Sequence, residues 1–577
     1  MTVIAPGLRL YGVAAAPGLA VGPVRRFDNV VATVAHYRVD DVGDELVRLL
    51  EARRQARAEL AALQVHVTTT VSAEEAGIFE AHIAFLDDAQ LFDEVEAHCH
   101  AESCNAEAAV AAVLDGYRAV LAASEDELFR ARANDLEDIK ERLIRLLSGT
   151  QPATDLLGDT PCIVVADDLL PSQAVQLDRS RVLGFCLAEG GPTSHVAILA
   201  RGLGLPAVVG LGSIIANLTD EMLLAVDGTA GTVLVDPDQQ TTSTFEAQIA
   251  ATRLRNSEAR AAARSPVVTR DGAALTILAN ISSPGEGAAA VDCGAEGVGL
   301  LRTELLFVER NTPPSEEEQL NLYRLIAAAL DGRPLVIRTL DIGGDKPVRY
   351  LRQPPEQNPA LGARGIRLAR SAPDLLRAQV RAIWRIGPNY PIKVMFPMVA
   401  NLEEVYWLRR MVAEVGDELR AAGELVVDQL EVGVMIEVPA LALVADHVAR
   451  LVDFMSIGTN DLTQYALAVD RTNAAVSGIG DSLHPAVLRL IAQTARAGAS
   501  GDAVVSVCGE LAGDPLGALA LVGLGVTTLS MSGPLIPAAK AALRAINLAE
   551  VQVAAQQILD LSTAAEVRAR LRMISAG

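Results

Sequence analysis

The sequence lacks the features of a membrane-spanning or exported protein. Its 577 residues include no run of about 18 uncharged apolar residues, so we expect no transmembrane helix. No basic segment precedes an apolar core near the N-terminus, so no signal peptide is expected. The six cysteines are scattered without a repeated spacing, which is typical of free thiols in a reducing compartment. These absences predict a cytoplasmic protein.

Positive charge and aromatic side chains are also scarce. A net charge of −23 argues against nucleic acid as a partner and favours a basic protein or a cation-assisted substrate. Aromatic residues make up only 3% of a chain that is 50% hydrophobic, so we expect cores of Ala, Val, Leu and Ile. The length is sufficient for roughly three or four domains.

Proline is absent between Val42 and Leu147, and this stretch has the periodicity of helices. Apolar residues such as Leu46, Leu49 and Leu50 recur every three or four positions, with charges between them. The pattern predicts about four helices packed as hairpins.

Residues 161–237 contain short β-rich runs that alternate with turns and one short helix. In the motif GGPTSHVAIL, Ser194 lies in the predicted N-cap region, so His195 lies at the start of the helix. Backbone N–H groups at such a position favour an anion. The position therefore suits an imidazole that accepts a phosphoryl group, although a capping histidine without chemistry would also fit.

Eight β-rich runs, most of them separated by helical stretches, follow residue 265. This alternation predicts a (β/α)8 barrel. The runs begin at Leu275, Gly297, Leu335, Lys393, Gly433, Phe454, Val504 and Thr527.

Most of these runs begin with apolar residues and end with polar ones. The ends of barrel strands meet at one face, where active sites are built, so we expect these side chains to share a site. Cys508 is the one cysteine at such an end, where a thiol is placed for proton transfer. The polar ends are Arg302, Glu304, Arg338, Asp341, Glu437, Asn460, Asp461, Cys508, Glu510, Ser530 and Ser532.

The types of these residues indicate what the site binds. Arg302, Arg338 and the nearby Arg471 suit bidentate contacts with phosphate and carboxylate oxygens. Glu437 and Asp461 are too few for a calcium site, but they suit Mg²⁺, which keeps waters and shares the oxygens of a substrate.

The same residues belong to longer motifs, which are GGPTSHVAILARGLGLPAVVG, GVGLLRTELLF, VIRTLDIGGDK, NPALGARGIRL, VMFPMV, MIEVPA, FMSIGTNDLTQYALAVDR and VCGELAGDP. Together these motifs resemble enzyme I of the bacterial phosphotransferase system, the phosphoenolpyruvate–protein phosphotransferases of the PEP-utilising enzyme family. The resemblance covers almost the whole chain.

The resemblance implies a role for each candidate residue. His195 would take the phosphoryl group from phosphoenolpyruvate (PEP) on its Nε2 atom, and pyruvate would be released. Arg302 and Arg338 would hold the phosphate. Arg471 and the backbone of Asn460 would hold the carboxylate end.

Three further residues complete the implied site. Glu437 and Asp461 would bind Mg²⁺, and Asp461 would also border the substrate. Cys508 would be the acid that protonates the enolate carbon to give pyruvate.

The helical region resembles the subdomain that binds the phosphocarrier protein HPr, which would receive the phosphoryl group as the first step of sugar uptake. Residues 72–88 are acidic and suit a basic partner, although the same face could simply be solvated. The residues implied at the contact are Glu74, Ile78, His82 and Arg132. The family also implies a homodimer formed through the barrel.

The resemblance implies a multidomain α/β protein. Hinges are expected at residues 148–160 and 241–263, because His195 must reach both the barrel and the acceptor. The expected parts are an N-terminal strand segment (1–25), a helical HPr-binding subdomain (26–148) inserted in a small β/α phosphohistidine domain (149–238), a linker helix (239–264) and a PEP-binding and dimerisation TIM barrel (265–577).

Two positions depart from the family. Ala174 stands where a threonine hydroxyl often contacts the active histidine, and Pro192 stands where a polar or basic residue is common. Another group must therefore fix the tautomer of His195, or the ring is less constrained.

Two other functions share parts of this pattern. A pyruvate phosphate dikinase or PEP synthase shares the histidine domain and the barrel, but no Gly-rich phosphate loop or ATP-grasp pattern precedes the histidine domain here. A non-catalytic regulatory relative would have no need of the full set of arginines, carboxylates, Cys508 and His195.

Overall fold

The computed structural model divides the chain into two compact units, residues 1–254 and 255–577. In the part of the chain that the structure describes, no helix is both long and apolar enough to cross a membrane. The described residues are 5–27, 34–70, 73–123, 127–150, 160–178, 180–191, 194–220, 222–308, 310–342, 348, 350–351, 356–471, 473 and 476–576.

The described part of the first unit contains an eight-stranded mixed sheet. Its strands are β1 (Arg9–Tyr11), β2 (Val13–Ala16), β3 (Leu19–Arg26), β4 (Cys162–Ala166), β5 (Val182–Leu187), β6 (Ala207–Val209), β7 (Leu223–Asp227) and β8 (Thr232–Val235). They lie in the order β1-β8-β7-β3-β4-β5-β6-β2. The pairs β3–β4, β4–β5 and β5–β6 are parallel, and the other neighbours are antiparallel.

Helices of this unit cover one face of the sheet. They are α1 (Val42–Thr70), α2 (Ala73–Asp87), α3 (Ala89–Glu102), α4 (Ala106–Ala122), α5 (Glu127–Ser148), α6 (Pro171–Gln176) and α7 (His195–Leu203). Strand β4 shows the alternation that this arrangement requires: Val164 packs in the core with the helices, while Ile163 and Val165 pack in a second core on the other face.

One hydrophobic core joins the helical region to helices α6 and α7. Leu136 and Ile139 of α5 lie in the same buried cluster as Ala174 of α6 and Ala197 of α7. The hinge expected at residues 148–160 stays a prediction, and bending there would have to open this shared core. Residues 151–159 themselves lie outside the described part of the chain.

A long helix, α8 (Gln239–Ala261), occupies the position of the predicted linker helix. Ala259 is its one buried residue, and a helix that is polar on all sides is typical of a connection between domains. The exact domain limits stay predictions.

The predicted (β/α)8 barrel is confirmed in the second unit. The strands are β9 (Val267–Val268), β10 (Ala274–Ile281), β11 (Val298–Leu301), β12 (Leu335–Arg338), β13 (Ile392–Phe396), β14 (Glu431–Ile436), β15 (Phe454–Ile457), β16 (Val504–Val507) and β17 (Thr528–Ser532). Strands β10 to β17 pair in parallel in chain order, and β10 also pairs with β17, which closes the barrel. The short β9 pairs antiparallel with β10 outside the ring.

Helices surround this ring of strands. They are α9 (Pro284–Asp292), α10 (Leu305–Val308), α11 (Glu316–Ala329), α12 (Ile366–Ser371), α13 (Pro373–Ile386), α14 (Leu402–Ala421), α15 (Pro439–Leu443), α16 (Ala445–Val448), α17 (Thr459–Leu467), α18 (Pro485–Gly501), α19 (Pro515–Gly523), α20 (Ile536–Arg544), α21 (Leu548–Ile558) and α22 (Ala564–Ala576). Apolar strand residues such as Ile337 and Ile436 pack outward against them. Alternate positions, including Leu300, Met395 and Met435, form a separate inner cluster.

Candidate active site

The closed parallel barrel brings the polar strand ends to one face. Arg302 follows β11, Arg338 ends β12, Glu437 follows β14 and Cys508 follows β16. Asp461 lies in the first turn of α17, directly after β15. Because every barrel strand runs in the same direction, these residues lie at the carboxyl ends of the strands, as the sequence predicted.

Arg338 is a buried arginine surrounded by carboxylates. Its Nη2 atom lies 2.6 Å from Oε1 of Glu304, and its Nη1 atom lies 3.3 Å from Oδ2 of Asp341. Burial opposes the charge, but Glu304, Asp341 and Glu437 outweigh it and raise the pKa of the guanidinium above its ordinary value. The buried Nε atom has no hydrogen-bond partner among the described residues. A buried donor without a partner is unusual, and it is a place where a polar ligand can bind.

Arg364 joins two of the acidic residues. It donates from Nη2 to Oδ2 of Asp341 at 2.8 Å and from Nε to Oδ1 of the same carboxylate at 3.2 Å. Its Nη1 atom lies 3.3 Å from Oδ1 of Asp461. Tyr465 supports the group, since Nη1 of Arg364 donates to its hydroxyl at 3.3 Å, while that hydroxyl donates to the Ala360 carbonyl. The sequence motifs alone assigned no role to Arg364.

Glu437 is the most deeply buried carboxylate of the cluster, with 1% of its surface exposed. Its Oε1 atom accepts the backbone N–H of Met398 at 2.6 Å. Met398 has φ +59, a conformation that is costly for a side chain of this size and that clusters at functional sites. Burial, together with the nearby Asp461 and Asp341, raises the pKa of Glu437 well above its ordinary value.

These carboxylates can contribute to a cation site but cannot complete one. No group of three or more His, Cys, Asp or Glu side chains in the described residues is arranged to hold a metal ion. The charge of Asp461 lies close enough to Glu437 to oppose its ionisation and raise its pKa. A divalent cation would relieve that repulsion. Two carboxylates with the remaining positions left to water and substrate oxygens fit Mg²⁺.

Cys508 lies in the inner cluster of the barrel, with 3% of its surface exposed. Its thiol points to the carbonyl of Ile457, with 3.8 Å between Sγ and the oxygen. Burial raises the pKa of this thiol, and the positive charges of Arg338 and Arg302 only partly offset that effect. The thiol therefore keeps its proton at neutral pH, as an acid must.

Three more residues are predicted to bind the substrate: Asn460 and Arg471 at its carboxylate, and Arg302 at its phosphate. Asn460 exchanges two hydrogen bonds of 3.1 Å with the side chain and backbone N–H of Glu510. Arg471 is exposed after α17, and its backbone N–H donates to Oε1 of Gln464 at 3.3 Å. Arg302 has 2.9 Å between its backbone nitrogen and the Ile281 carbonyl oxygen.

Helix α7 begins at His195, as the motif predicted. Ser194 is the N-cap, and its Oγ atom accepts the backbone N–H of Ala197 at 3.3 Å. Ala174, at 1% exposure, lies inside α6 and offers no hydroxyl. The His195 side chain and residues 192–193 lie outside the described part of the structure.

The predicted partner residues separate into buried and accessible ones. His82 is fully buried, with Nε2 lying 3.1 Å from Oδ1 of Asp135. Arg132, with 39% of its side chain exposed, lies 2.9 Å from Oδ2 of the same carboxylate. Ile78 is half-buried, and the side chain of Glu74 lies outside the described residues. The ring of His82 thus contacts Asp135 in the protein interior, and the side chain of Arg132 is accessible to a partner.

Three family models match the chain. They are the N-terminal domain of PEP-utilising enzymes over residues 11–132, the mobile domain of PEP-utilising enzymes over residues 158–231, and their PEP-binding domain over residues 256–548. The last of these alone covers half of the sequence.

Similar proteins match over nearly the full chain. The phosphoenolpyruvate-protein phosphotransferase of Geobacillus stearothermophilus is 37% identical over 97% of this chain and 96% of its own length. A multiphosphoryl transfer protein of Rhodobacter capsulatus is 44% identical over 97% of this chain, which spans 67% of that longer protein. A solved structure of an enzyme I (nEIt) protein is 32% identical, covers 42% of this chain and 99% of that one, and has a TM-score of 0.36.

Proposed function

The chain belongs to the PEP-utilising enzyme family, and from that membership we propose that it is a phosphoenolpyruvate–protein phosphotransferase. The observation that carries the proposal is the cluster at the carboxyl face of the barrel, where Arg338 and Arg364 are held among buried carboxylates. Two fixed guanidinium groups beside an acidic pair suit a substrate that carries both phosphate and carboxylate. The protonated thiol of Cys508 lies at the same face.

The reaction proceeds in two transfers. In the first, Nε2 of His195 attacks the phosphorus of PEP, the bond from phosphorus to the enol oxygen breaks, and an enolate remains. Cys508 then gives its proton to the terminal enolate carbon, which yields pyruvate, and water restores the thiol. In the second, the phosphoryl group passes from His195 to a histidine of the acceptor protein.

The protein residues serve this chemistry by position and charge. We propose that Arg302 and Arg338 hold the phosphate, while Arg471 and the backbone of Asn460 hold the carboxylate. The buried Nε atom of Arg338 is free to donate to a substrate oxygen. His195 must arrive neutral, which its ordinary pKa of about 6.5 allows at cytoplasmic pH.

Enzymes of this family are generally metal-dependent. We propose that Glu437 and Asp461 hold Mg²⁺ here, which when bound supplies positive charge to the substrate oxygens. The contact from the Met398 N–H keeps Glu437 in place, and the contact from Arg364 does the same for Asp461.

We further propose HPr as the acceptor, with Arg132 and the acidic residues of α2 at the contact. Cytoplasmic location and a homodimer through residues 265–577 belong to the same proposal, as do the domain limits given above.

The test is incubation of the purified protein with ³²P-labelled PEP and Mg²⁺ in the absence of any nucleotide. We expect labelled protein and pyruvate in equal amounts. A strict requirement for ATP would contradict the proposal and would indicate a dikinase or synthase.

A further inference from the structure

A buried contact links the helical region to the helices that follow it. Oδ2 of Asp138, in α5, accepts the backbone N–H of Ser172 at 3.0 Å, and Oδ1 accepts the hydroxyl of the same residue at 2.6 Å. Asp138 is 2% exposed and Ser172 is 4% exposed. Two charge-assisted hydrogen bonds in a dry setting are among the stronger polar contacts in a protein.

This contact replaces a cap that α6 does not supply itself. The N-cap residue of α6 is Leu170, whose side chain has no oxygen to accept a helix N–H. Asp138 accepts the N–H of the second helical residue instead. Next to it, Nε2 of Gln173 donates to Oε2 of Glu141 at 3.1 Å. The first turn of α6 is therefore held by two carboxylates of α5.

Helix α6 in turn packs against α7, the helix that begins at His195. Ala174 and Val175 of α6 share a buried cluster with Val196 and Ala197 of α7. Helix α7 has its own anchors, since it also packs against β2 and β6 and is capped by Ser194. Loss of the Asp138 contact would thus loosen α5 relative to α6 and α7 without displacing α7 from the sheet.

We infer that Asp138 is a positioning residue for the transfer of the phosphoryl group from His195 to the acceptor protein. The inference rests on the function proposed above, in which the acceptor docks on the helical region. The distance between a docked acceptor and His195 is set by how that region is held to α6 and α7, and the Asp138–Ser172 contact holds it. Phosphorylation of His195 by PEP involves the barrel and does not depend on this distance.

The test measures the two half-reactions separately in the full chain. Phosphorylation is followed with ³²P-labelled PEP, and transfer is followed by mixing the phosphorylated enzyme with purified HPr at a series of concentrations. For Asp138→Ala we expect the maximal transfer rate to fall by about 10- to 100-fold. The KM for HPr and the rate of phosphorylation by PEP should stay within about twofold of wild type, because neither the docking surface nor α7 is altered.

Gentler variants separate positioning from folding. Asp138→Asn can still accept the Ser172 N–H and donate to its hydroxyl, so we expect it to restore most of the transfer rate. Ser172→Ala removes one of the two hydrogen bonds and should be intermediate. The double variant Asp138→Ala with Ser172→Ala should be no slower than Asp138→Ala alone, because both changes remove the same contact.

The matched control is Glu137→Ala on the same helix. Its carboxylate pairs with Lys140 and Arg118, within helices α4 and α5 only. For this variant we expect the ratio of the phosphorylation rate to the transfer rate to stay as in wild type. Transfer by Asp138→Ala at the wild-type rate, or an equal loss in both half-reactions, would overturn the inference alone. A wild-type protein that takes no label from PEP would overturn the proposed function and the inference with it.

Discussion

The guanidinium of Arg364 donates two hydrogen bonds to the carboxylate of Asp341, from Nη2 at 2.8 Å and from Nε at 3.2 Å, and also lies 3.3 Å from Asp461. One cation thus holds the loop after β12 and the first turn of α17 in a single arrangement. The planar fork of an arginine makes this possible, whereas the single ammonium of a lysine would not.

We therefore predict that Arg364→Lys lowers kcat/KM for PEP by about 100-fold. A lysine could reach one carboxylate but not orient both, so Asp461 would lose its fixed position. The measurement is the steady-state rate of pyruvate formation. Arg370→Lys is the control, since Arg370 lies in α12, the helix that follows Arg364, and stacks over the ring of Trp407. If the two variants behaved alike, the role assigned to Arg364 would be wrong.

Cys508 is expected to be the acid of the first half-reaction. Cys508→Ala should lower the rate of pyruvate formation by about 100- to 10,000-fold, because the enolate would have to take its proton from water. Cys293→Ala is the control, since that thiol lies at the end of α9 and outside the site. Pyruvate formation by Cys508→Ala at the control rate would exclude the thiol as proton donor.

The buried amide of Gln379 makes hydrogen bonds to residues that follow strands β11 and β12. It accepts the Leu340 N–H at 2.9 Å and donates to the hydroxyls of Thr303 and Tyr323 at 3.2 and 3.0 Å. Gln379→Leu would remove the acceptor of the buried Leu340 N–H and one hydrogen bond from each of the two hydroxyls, so we predict a loss of about 3 kcal/mol in the free energy of unfolding. Denaturant titration measures this free energy of unfolding. Gln493→Leu, at an exposed amide that donates to the Leu443 carbonyl, should cost much less.

Glu141 should make stability depend on pH. Burial, assisted by Glu137 and Asp138, raises the pKa of its carboxyl from 4.5 to about 7. The folded chain therefore holds this proton more tightly than the unfolded chain, and the free energy of unfolding falls as pH rises from 4.5 to about 7. The side chain of Glu141→Gln stays neutral at every pH. The variant should be more stable than wild type at pH 8 by about 2 kcal/mol, and this difference in the free energy of unfolding should vanish below about pH 4.5.

The control for this pH effect is Glu51→Gln. Arg54 and Gln55 hold the pKa of the exposed Glu51 carboxyl at about 2, so it stays charged throughout the range from pH 5 to pH 8. Replacement of Glu51 should change the free energy of unfolding by the same amount at pH 5 and at pH 8. Denaturation of both variants at pH 5 and pH 8 separates the two cases, and a pH-independent gain for Glu141→Gln would refute the assignment.

The elements that sequence periodicity predicted are those dominated by local patterns. The eight barrel strands were found because each is a short β-rich run that ends in polar residues, and the parallel closure brings those ends together. The start of α7 at His195 was found because Ser194 is a good N-cap.

The features that the sequence did not reveal depend on distant contacts. Arg364 contacts Asp461 across a long stretch of sequence, and the neighbouring Gly365 has φ +53, where a side chain would meet Met398. The resemblance implied His82 at the partner contact, and its burial against Asp135 of another helix cannot be read from the motif. The core that joins α5 to α6 and α7 likewise cannot be seen in a linear pattern.

The most direct test of the account is to locate the phosphoryl group after incubation with PEP and Mg²⁺ without nucleotide. We predict a single acid-labile phosphate on His195 by mass spectrometry, no phosphate on His195→Ala, and unchanged labelling of His447→Ala, a control at an exposed histidine. Label on another residue, or labelling and pyruvate formation that persist in His195→Ala, would contradict it.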